Sequence, residues 1–131
     1  MSGVDLHIHS IWSDGQASPT QIALQAQNSD LSCIALTDHN ILNGIEALIR
    51  SLPSTDISVI RGVEMTAEDD ELGEVHILGY GIDTSFHPLR EALKHVMERK
   101  RQQLSKMMEG LQKRGITITM EEVHREAGPG Y

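Results

Sequence analysis

The apolar segment 31–36, LSCIAL, is the sequence feature that most constrains the fold. It lies between two stretches with helical patterns. Continuous apolar runs of this length are typical of strands buried on both faces of a parallel sheet, where helices cover the faces. The chain has 131 residues, enough for one modest domain with a hydrophobic core. We therefore expect an α/β domain with parallel strands and helices outside.

The rest of the chain alternates strand and helix patterns. Ser18-Pro19-Thr20-Gln21 has the capping-box pattern that begins a helix, and Thr119-Met120-Glu121-Glu122 has the same pattern near the end of the chain. The β–α–β–α–β order with short connections predicts parallel strands joined by right-handed crossovers. We expect the apolar stripe of the long third helix to lie in the core. The predicted strands are 4–8, 31–36, 57–60 and 75–80, and the predicted helices are 19–28, 42–52, 88–113 and 120–127.

Charge and composition narrow the function classes. The formal net charge is −8 and the sequence pI is near 5.2. An acidic surface argues against broad binding to phosphate backbones or anionic membranes, although not against a small phosphorylated ligand held by metal ions. Aromatic residues make up only 3% of the chain, too few to favour stacking platforms for single-stranded nucleic acid. With the single Cys33, no signal-peptide pattern and no long apolar run, we predict a cytoplasmic protein.

Histidines and carboxylates recur where the predicted strands end. His7 and His9 lie two residues apart on the first strand, so side-chain alternation places them on one face with Asp5. His39 follows the second strand and Glu64 follows the third. The carboxyl ends of parallel strands meet at one edge of an α/β sheet, where binding sites form. Imidazole and carboxylate ligands together suit Zn, Mn or Fe.

Several neighbouring residues allow more than one interpretation. Asp14, in a Ser-Asp-Gly turn, is either a ligand or a turn former, and His76 is either a ligand or part of a half-exposed strand face. Asp5 and Asp38 are better explained as hydrogen-bond acceptors that orient adjacent histidines than as ligands. Arg99, in the basic run 99–101, is either a solvated charge or a phosphate contact.

The candidate nucleophile follows from what the sequence lacks. It contains no glycine-rich phosphate loop, no serine-centred elbow and no cysteine nucleophile pattern. A metal-activated water is the only nucleophile that these residues can supply. A carboxylate such as Glu64 can bridge two metal ions that share a hydroxide, and such a pair promotes in-line displacement at phosphorus. The pattern therefore favours metal-dependent hydrolysis of a phosphate ester.

Five motifs together resemble the PHP (polymerase and histidinol phosphatase) superfamily. In chain order they are DLHIHS at 5–10, SDG at 13–15, TDHN at 37–40, GVE at 62–64 and HILGY at 76–80. The likeness is greatest to stand-alone metal-dependent phosphoesterases, which include nucleoside 3′,5′-bisphosphate phosphatases and short-RNA 5′→3′ exonucleases. The resemblance implies the N-terminal part of a distorted (β/α)7 barrel with two or three divalent ions (Mn, Zn or Fe).

The resemblance also implies a role for each matched residue. Glu64 would bridge two ions, and Arg99 would lie near the substrate phosphate. His7, His9 and Glu64 would hold one ion. Glu64 and His76 would hold a second, and Asp14 and His39 would hold a third. Family members continue with further ligands, so residues 1–131 resemble a PHP domain truncated at its C-terminal end. The exposed edges of such a half-barrel predict self-association.

We therefore predict a metal-dependent phosphoesterase that hydrolyses a phosphate ester of a nucleotide or short oligonucleotide with metal-activated hydroxide. Its metal-binding strands would lie within residues 1–80, and its two C-terminal helices within residues 86–128. Two alternatives stay open. One is a non-catalytic metal-binding or assembly module, and the other is a histidinol-phosphate phosphatase.

Overall fold

The computed structural model describes residues 3–52 and 56–127, so the predicted domain's residues 1–2, 53–55 and 128–131 lie outside the described part. All the predicted strands and helices are present. The second strand and the first helix have the predicted bounds. The elements are β1 (Gly3–Ile8), α1 (Pro19–Asn28), β2 (Leu31–Leu36), α2 (Asn43–Arg50), β3 (Ser58–Asp69), β4 (Gly73–Tyr80), α3 (His87–Gln112) and α4 (Met120–Ala127).

The four strands form one sheet in the order β1-β2-β3-β4. β2 pairs in parallel with β1 on one side and with β3 on the other, as predicted. The sheet curls far enough for a side chain of the last strand to reach the first: the phenol of Tyr80 on β4 donates a hydrogen bond to the carbonyl of Leu6 on β1 at 2.9 Å. The predicted fold class, an α/β half-barrel, is confirmed.

The fourth strand corrects the prediction of uniformly parallel strands. β3 continues past residue 60 to Asp69, and β4 returns antiparallel to it. The reason is the short connection at residues 70–72, since a parallel neighbour would need a crossover of a dozen or more residues. The Asp69 carboxylate closes this turn by accepting hydrogen bonds from the N–H groups of Glu71 at 2.9 Å and Leu72 at 3.0 Å. His76 therefore enters the site from the first half of its strand, not from a carboxyl end.

α1 and α2 pack against the parallel part of the sheet. α1 begins at the predicted capping box, where the Ser18 hydroxyl accepts from the N–H of Gln21 at 3.3 Å and the Gln21 side chain accepts from the N–H of Ser18 at 2.8 Å. Ile34, Leu36 and Leu48 are fully buried. The core cluster consists of Ile22, Ala23, Ala26, Ile34, Leu36, Ile45, Leu48 and Leu52.

α3 departs from the prediction that its apolar stripe lies in the core. Leu93 is buried at 5% exposure, whereas Met107 is 60% exposed. The helix has 26 residues and is about 39 Å long, while the eight residues of β4 span only about 27 Å. The last turns of α3 therefore extend beyond the surface that the sheet offers. Within the described residues, no helix combines the length and apolar character needed to cross a membrane.

Candidate metal centre

Imidazoles and carboxylates from three strands and two connecting segments converge at one end of the sheet. They form three overlapping groups, and in each group the candidate ligand atoms lie within 4.8 Å of one another. Ligand atoms lie about 2.0–2.6 Å from a bound ion, so two ligands of one ion are at most about 5 Å apart. The structure brings together every residue predicted as a ligand: His7, His9, Asp14, His39, Glu64 and His76.

Glu64 on β3 lies at the centre of the cluster, with its side chain only 7% exposed. Its Oε2 is 3.0 Å from His7 Nε2 and 2.8 Å from His9 Nε2, and its Oε1 is 3.1 Å from His76 Nδ1. Burial by itself would raise the pKa of Glu64. The hydrogen bond with His7 and the charges of His39, His7 and His9 outweigh burial, so the pKa is lowered. An ionised carboxylate with both oxygens facing imidazoles has the geometry needed to bridge two ions.

Asp14 joins a second pair of histidines. Its Oδ1 is 2.6 Å from His9 Nδ1, and its Oδ2 is 3.6 Å from His39 Nε2. Burial by itself would raise the pKa of Asp14. The hydrogen bond with His9 and the charges of His9 and His39 outweigh burial, so the pKa is lowered. The Asp14 side chain thus faces the ligand cluster, which favours the ligand interpretation over a turn former alone.

His39 follows β2, and its side chain is 16% exposed. Burial lowers its pKa, and although the carboxylates of Glu64 and Asp14 oppose this, the net shift is downward. Its Nδ1 is buried and is the one buried side-chain polar atom without a hydrogen-bond partner among the described residues. Neutral imidazole is the form that binds metals, so the lowered pKa suits a ligand.

His7 lies on the open side of the cluster, with half of its side chain exposed. Its Nε2 is 3.1 Å from His9 Nε2, so two ring nitrogens face each other beside Glu64. The donor set consists of nitrogen and carboxylate oxygen without thiolate, which fits Mn, Zn or Fe. Asp5 does not orient the ring of His7 as predicted, because its carboxylate accepts a hydrogen bond from the backbone N–H of His7 at 3.2 Å.

Asp38 supports the turn after β1 rather than an imidazole ring, contrary to the prediction. The residue is 2% exposed. Oδ1 accepts hydrogen bonds from the N–H of Ser10 at 2.7 Å and the hydroxyl of Ser13 at 2.6 Å, and Oδ2 accepts from the hydroxyl of Ser10 at 2.7 Å. This turn connects His9 to Asp14. Asp38 therefore positions two candidate ligands through the backbone between them.

Asn40 is a supporting residue that the sequence reasoning missed. Its Nδ2 donates to the hydroxyl of Thr66 at 2.8 Å, and its Oδ1 accepts from the N–H of Thr66 at 2.8 Å. Its own N–H donates to the carbonyl of Glu64 at 2.9 Å. With φ at +56°, Asn40 adopts a left-handed conformation that asparagine tolerates better than most residues. Asparagine directly after Asp-His was the available signal.

Arg99 lies on α3 at the edge of this region. Its guanidinium donates to Glu68 Oε2 at 2.9 Å, and both side chains are exposed. It lines a groove of about 400 Å³ together with Glu74, which is 3.2 Å from His76 Nε2. The groove thus lies next to the ligand cluster, separated from His76 by the Glu74 side chain, and a phosphate contact for Arg99 stays a prediction.

Comparison with known proteins identifies the family. The sequence profile of the PHP domain matches residues 5–126. The 3′,5′-nucleoside bisphosphate phosphatase of Chromobacterium violaceum is 32% identical over 116 residues, which are 88% of this chain and 40% of that protein. The 5′-3′ exoribonuclease Rnm of Escherichia coli is 33% identical over 131 residues, covering 96% of this chain and 43% of that protein.

Solved structures share the architecture. An amidohydrolase from Chromobacterium violaceum with bound sulfate and no metal matches with a TM-score of 0.86 and 29% identity, over 98% of this chain and 45% of that chain. A structure from Bifidobacterium adolescentis assigned to the metal-dependent phosphoesterases matches with a TM-score of 0.82 and 26% identity, over 93% of this chain and 42% of that chain. The chain spans less than half the length of these relatives, and the profile match includes all the candidate ligands. The chain belongs to the PHP domain family.

Proposed function

We propose that this chain carries the metal-binding part of a phosphoesterase that hydrolyses a phosphate ester of a nucleotide or short oligonucleotide. The observation that carries this proposal is the overlap of the ligand groups, because His9, His39 and Glu64 each belong to two of them. Shared ligands suit a centre of two or three ions, whereas a structural zinc site is closed by four ligands of a single ion. The named relatives, a bisphosphate phosphatase and an exoribonuclease, support this chemistry.

The chain's own residues would prepare the site in specific ways. Divalent ions supply the chemistry of lowering the pKa of water and stabilising negative charge on phosphoryl oxygens. Glu64 offers a carboxylate held ionised by its imidazole neighbours. The side chains of His7 and Asp14 are 50% and 58% exposed, so they mark the side from which a phosphate ester can approach. The buried Glu64 closes the opposite side.

A non-catalytic metal-binding or assembly module is the second candidate. β1 is an edge strand of the described sheet, and its Val4 and Leu6 are 58% and 37% exposed. Exposed apolar side chains on a strand that pairs with only one described neighbour favour association with another chain. Self-association through this edge stays a prediction. Measuring the hydrolysis of phosphate esters distinguishes this candidate from an enzyme.

The first experiment is elemental analysis of the purified protein, of His9→Ala and of His95→Ala. His95 is an exposed histidine on α3 and provides a matched control. We expect bound metal in the wild type and in the control, and loss of metal in His9→Ala. No metal in the wild-type chain would contradict the proposed centre.

Hydrolysis is then measured on a nucleoside 3′,5′-bisphosphate, a 5′-phosphorylated short RNA and histidinol phosphate, with Mn, Zn or Fe supplied. Turnover of either nucleotide substrate supports the proposal. Turnover of histidinol phosphate alone would assign the alternative phosphatase function. Metal binding with no turnover of any phosphate ester would favour the assembly module.

A further inference from the structure

We propose that a second groove beside the metal centre binds the phosphodiester backbone of a single-stranded oligonucleotide. The groove has a volume of about 470 Å³ and lies between α3 and the chain segment that leads from β2 into α2. Its cations are Arg90, Lys94 and Arg101. The inference rests on the proposed function, because the groove would hold the part of the substrate that continues beyond the phosphate at the metal centre.

The three cations form a stripe along one face of α3. With Met97 they occupy positions i, i+4, i+7 and i+11, which share a face of an α-helix. Arg90 and Arg101 are separated by about 16 Å of helix rise. A row of charges of that length matches a chain of anionic groups better than one small anion. Arginine also makes bidentate contacts that suit phosphate oxygens.

Positive charge in this acidic chain is concentrated on α3. The chain has a net charge of −8 and 11 lysines and arginines. Such a distribution repels polyanions from most of the surface and attracts them to one helix. Six of the 11 lie on α3: Arg90, Lys94, Arg99, Lys100, Arg101 and Lys106.

The groove cations are not neutralised by the protein itself. Across residues 3–52 and 56–127, no ion pair within 4.0 Å involves the three cations of the stripe. By contrast, Arg99 in the other groove is paired with Glu68 at 2.9 Å. Glu46, the acidic residue that lines the proposed groove, is paired with Arg61 at 3.1 Å. The stripe is therefore available to an external anion.

The groove lies beside the residue that follows a candidate ligand, and its lining is part polar and part apolar. Asn40 lines it, follows the candidate ligand His39, and donates its N–H to the carbonyl of Glu64 at 2.9 Å. Leu42 and Met97 also line it and offer apolar surface between the charges. Ligand sites commonly combine apolar surface with polar groups that fix the orientation of the ligand. A nucleotide chain, with apolar sugar faces and anionic phosphates, fits this combination.

The test is fluorescence anisotropy with a short, 5′-phosphorylated, 3′-labelled RNA. EDTA is present throughout, so binding is measured whether or not the metal centre proves catalytic. The triple variant R90Q/K94Q/R101Q is compared with K113Q/R114Q/R125Q, which removes equal charge at exposed positions outside the groove. Circular dichroism confirms that both variants are folded.

We expect the groove variant to bind the RNA about tenfold more weakly at low salt and the control less than about twofold. The negative slope of log K against log salt should become shallower by about 2 in the groove variant, because it loses three cations and each phosphate contact of a single strand contributes about 0.7 to the slope. Equal losses in both variants would overturn the proposal. An acidic oligopeptide that competes as well as unlabelled RNA would also overturn it, because the groove would then select charge alone.

Discussion

Replacing Asp38 with asparagine should destabilise the protein and loosen the turn that carries two candidate ligands. The buried carboxylate accepts three hydrogen bonds at 2.6–2.7 Å from Ser10 and Ser13. The amide removes the charge from all three bonds and places an NH2 group opposite one of the donors. If each charge-assisted bond weakens by about 1 kcal/mol, the free energy of unfolding falls by about 3 kcal/mol. Metal affinity should also fall by about tenfold, as is usual when a residue that supports the ligands is changed.

Urea denaturation followed by circular dichroism measures the first effect, and calorimetric titration with Mn²⁺ or Zn²⁺ measures the second. With an m value of about 2 kcal/mol/M, the midpoint should fall by about 1.5 M urea. Asp83→Asn is a matched control, because the exposed Asp83 carboxylate accepts from the N–H and hydroxyl of Ser85 at 2.8 and 2.6 Å. We expect little change there. A midpoint for Asp38→Asn no lower than that of Asp83→Asn would refute the reasoning.

Three further predictions test the site and its surroundings. Glu64→Gln should reduce bound metal by at least one equivalent in elemental analysis, whereas Glu109→Gln, on α3, should leave it unchanged; equal metal in both variants would contradict a bridging role. Gly15→Ala should destabilise the protein by about 2 kcal/mol, because the added Cβ would collide with the carbonyl of residue 9. Gly110→Ala, in open space on α3, should instead stabilise it by about 1 kcal/mol. Thermal melts in which Gly15→Ala is the more stable variant would contradict the close approach of the backbone at Gly15. The metal-free protein should lose stability as the pH falls from 7 towards 5, because the lowered pKa of His39 means that the unfolded chain takes up the proton more readily. In thermal melts with EDTA, the melting temperature of His39→Asn should depend less steeply on pH than that of the wild type. Identical pH dependence in the two proteins would refute this role of His39.

Much of the fold could be predicted because its signals are local. The bounds of α1 follow from the capping box at Ser18, and those of β2 from a continuous apolar run. The hairpin of β3 and β4 was harder, because residues 61–69 mix polar and apolar side chains and become a strand through pairing with β4. The burial of α3 also depends on how far the sheet extends, which its own periodicity does not encode. Tertiary contacts therefore decided these two elements.

The candidate ligands could be predicted because metal-binding residue types that recur on or directly after the predicted strands are visible in the sequence. Their supporting contacts could not. Asp38 and Asp5 both contact backbone or hydroxyl donors rather than imidazole rings, and that choice depends on distances set by the turn. Asn40, in the segment after β2, acts through Thr66 on β3. Such pairings become apparent only once the strands are in register.

The sharp curl of the sheet has a consequence for how this chain folds. The Tyr80–Leu6 hydrogen bond joins residues 74 positions apart, and the His7–Glu64 contact joins residues 57 positions apart. Closing a chain segment of the second length costs about 3.5 kcal/mol in entropy, and topologies rich in such distant contacts fold slowly. An ion held by β1, β3 and β4 would act as a cross-link between the first and last strands, and its release would speed unfolding. The ligand cluster that we propose for hydrolysis would thus also slow unfolding and lengthen the lifetime of the folded state.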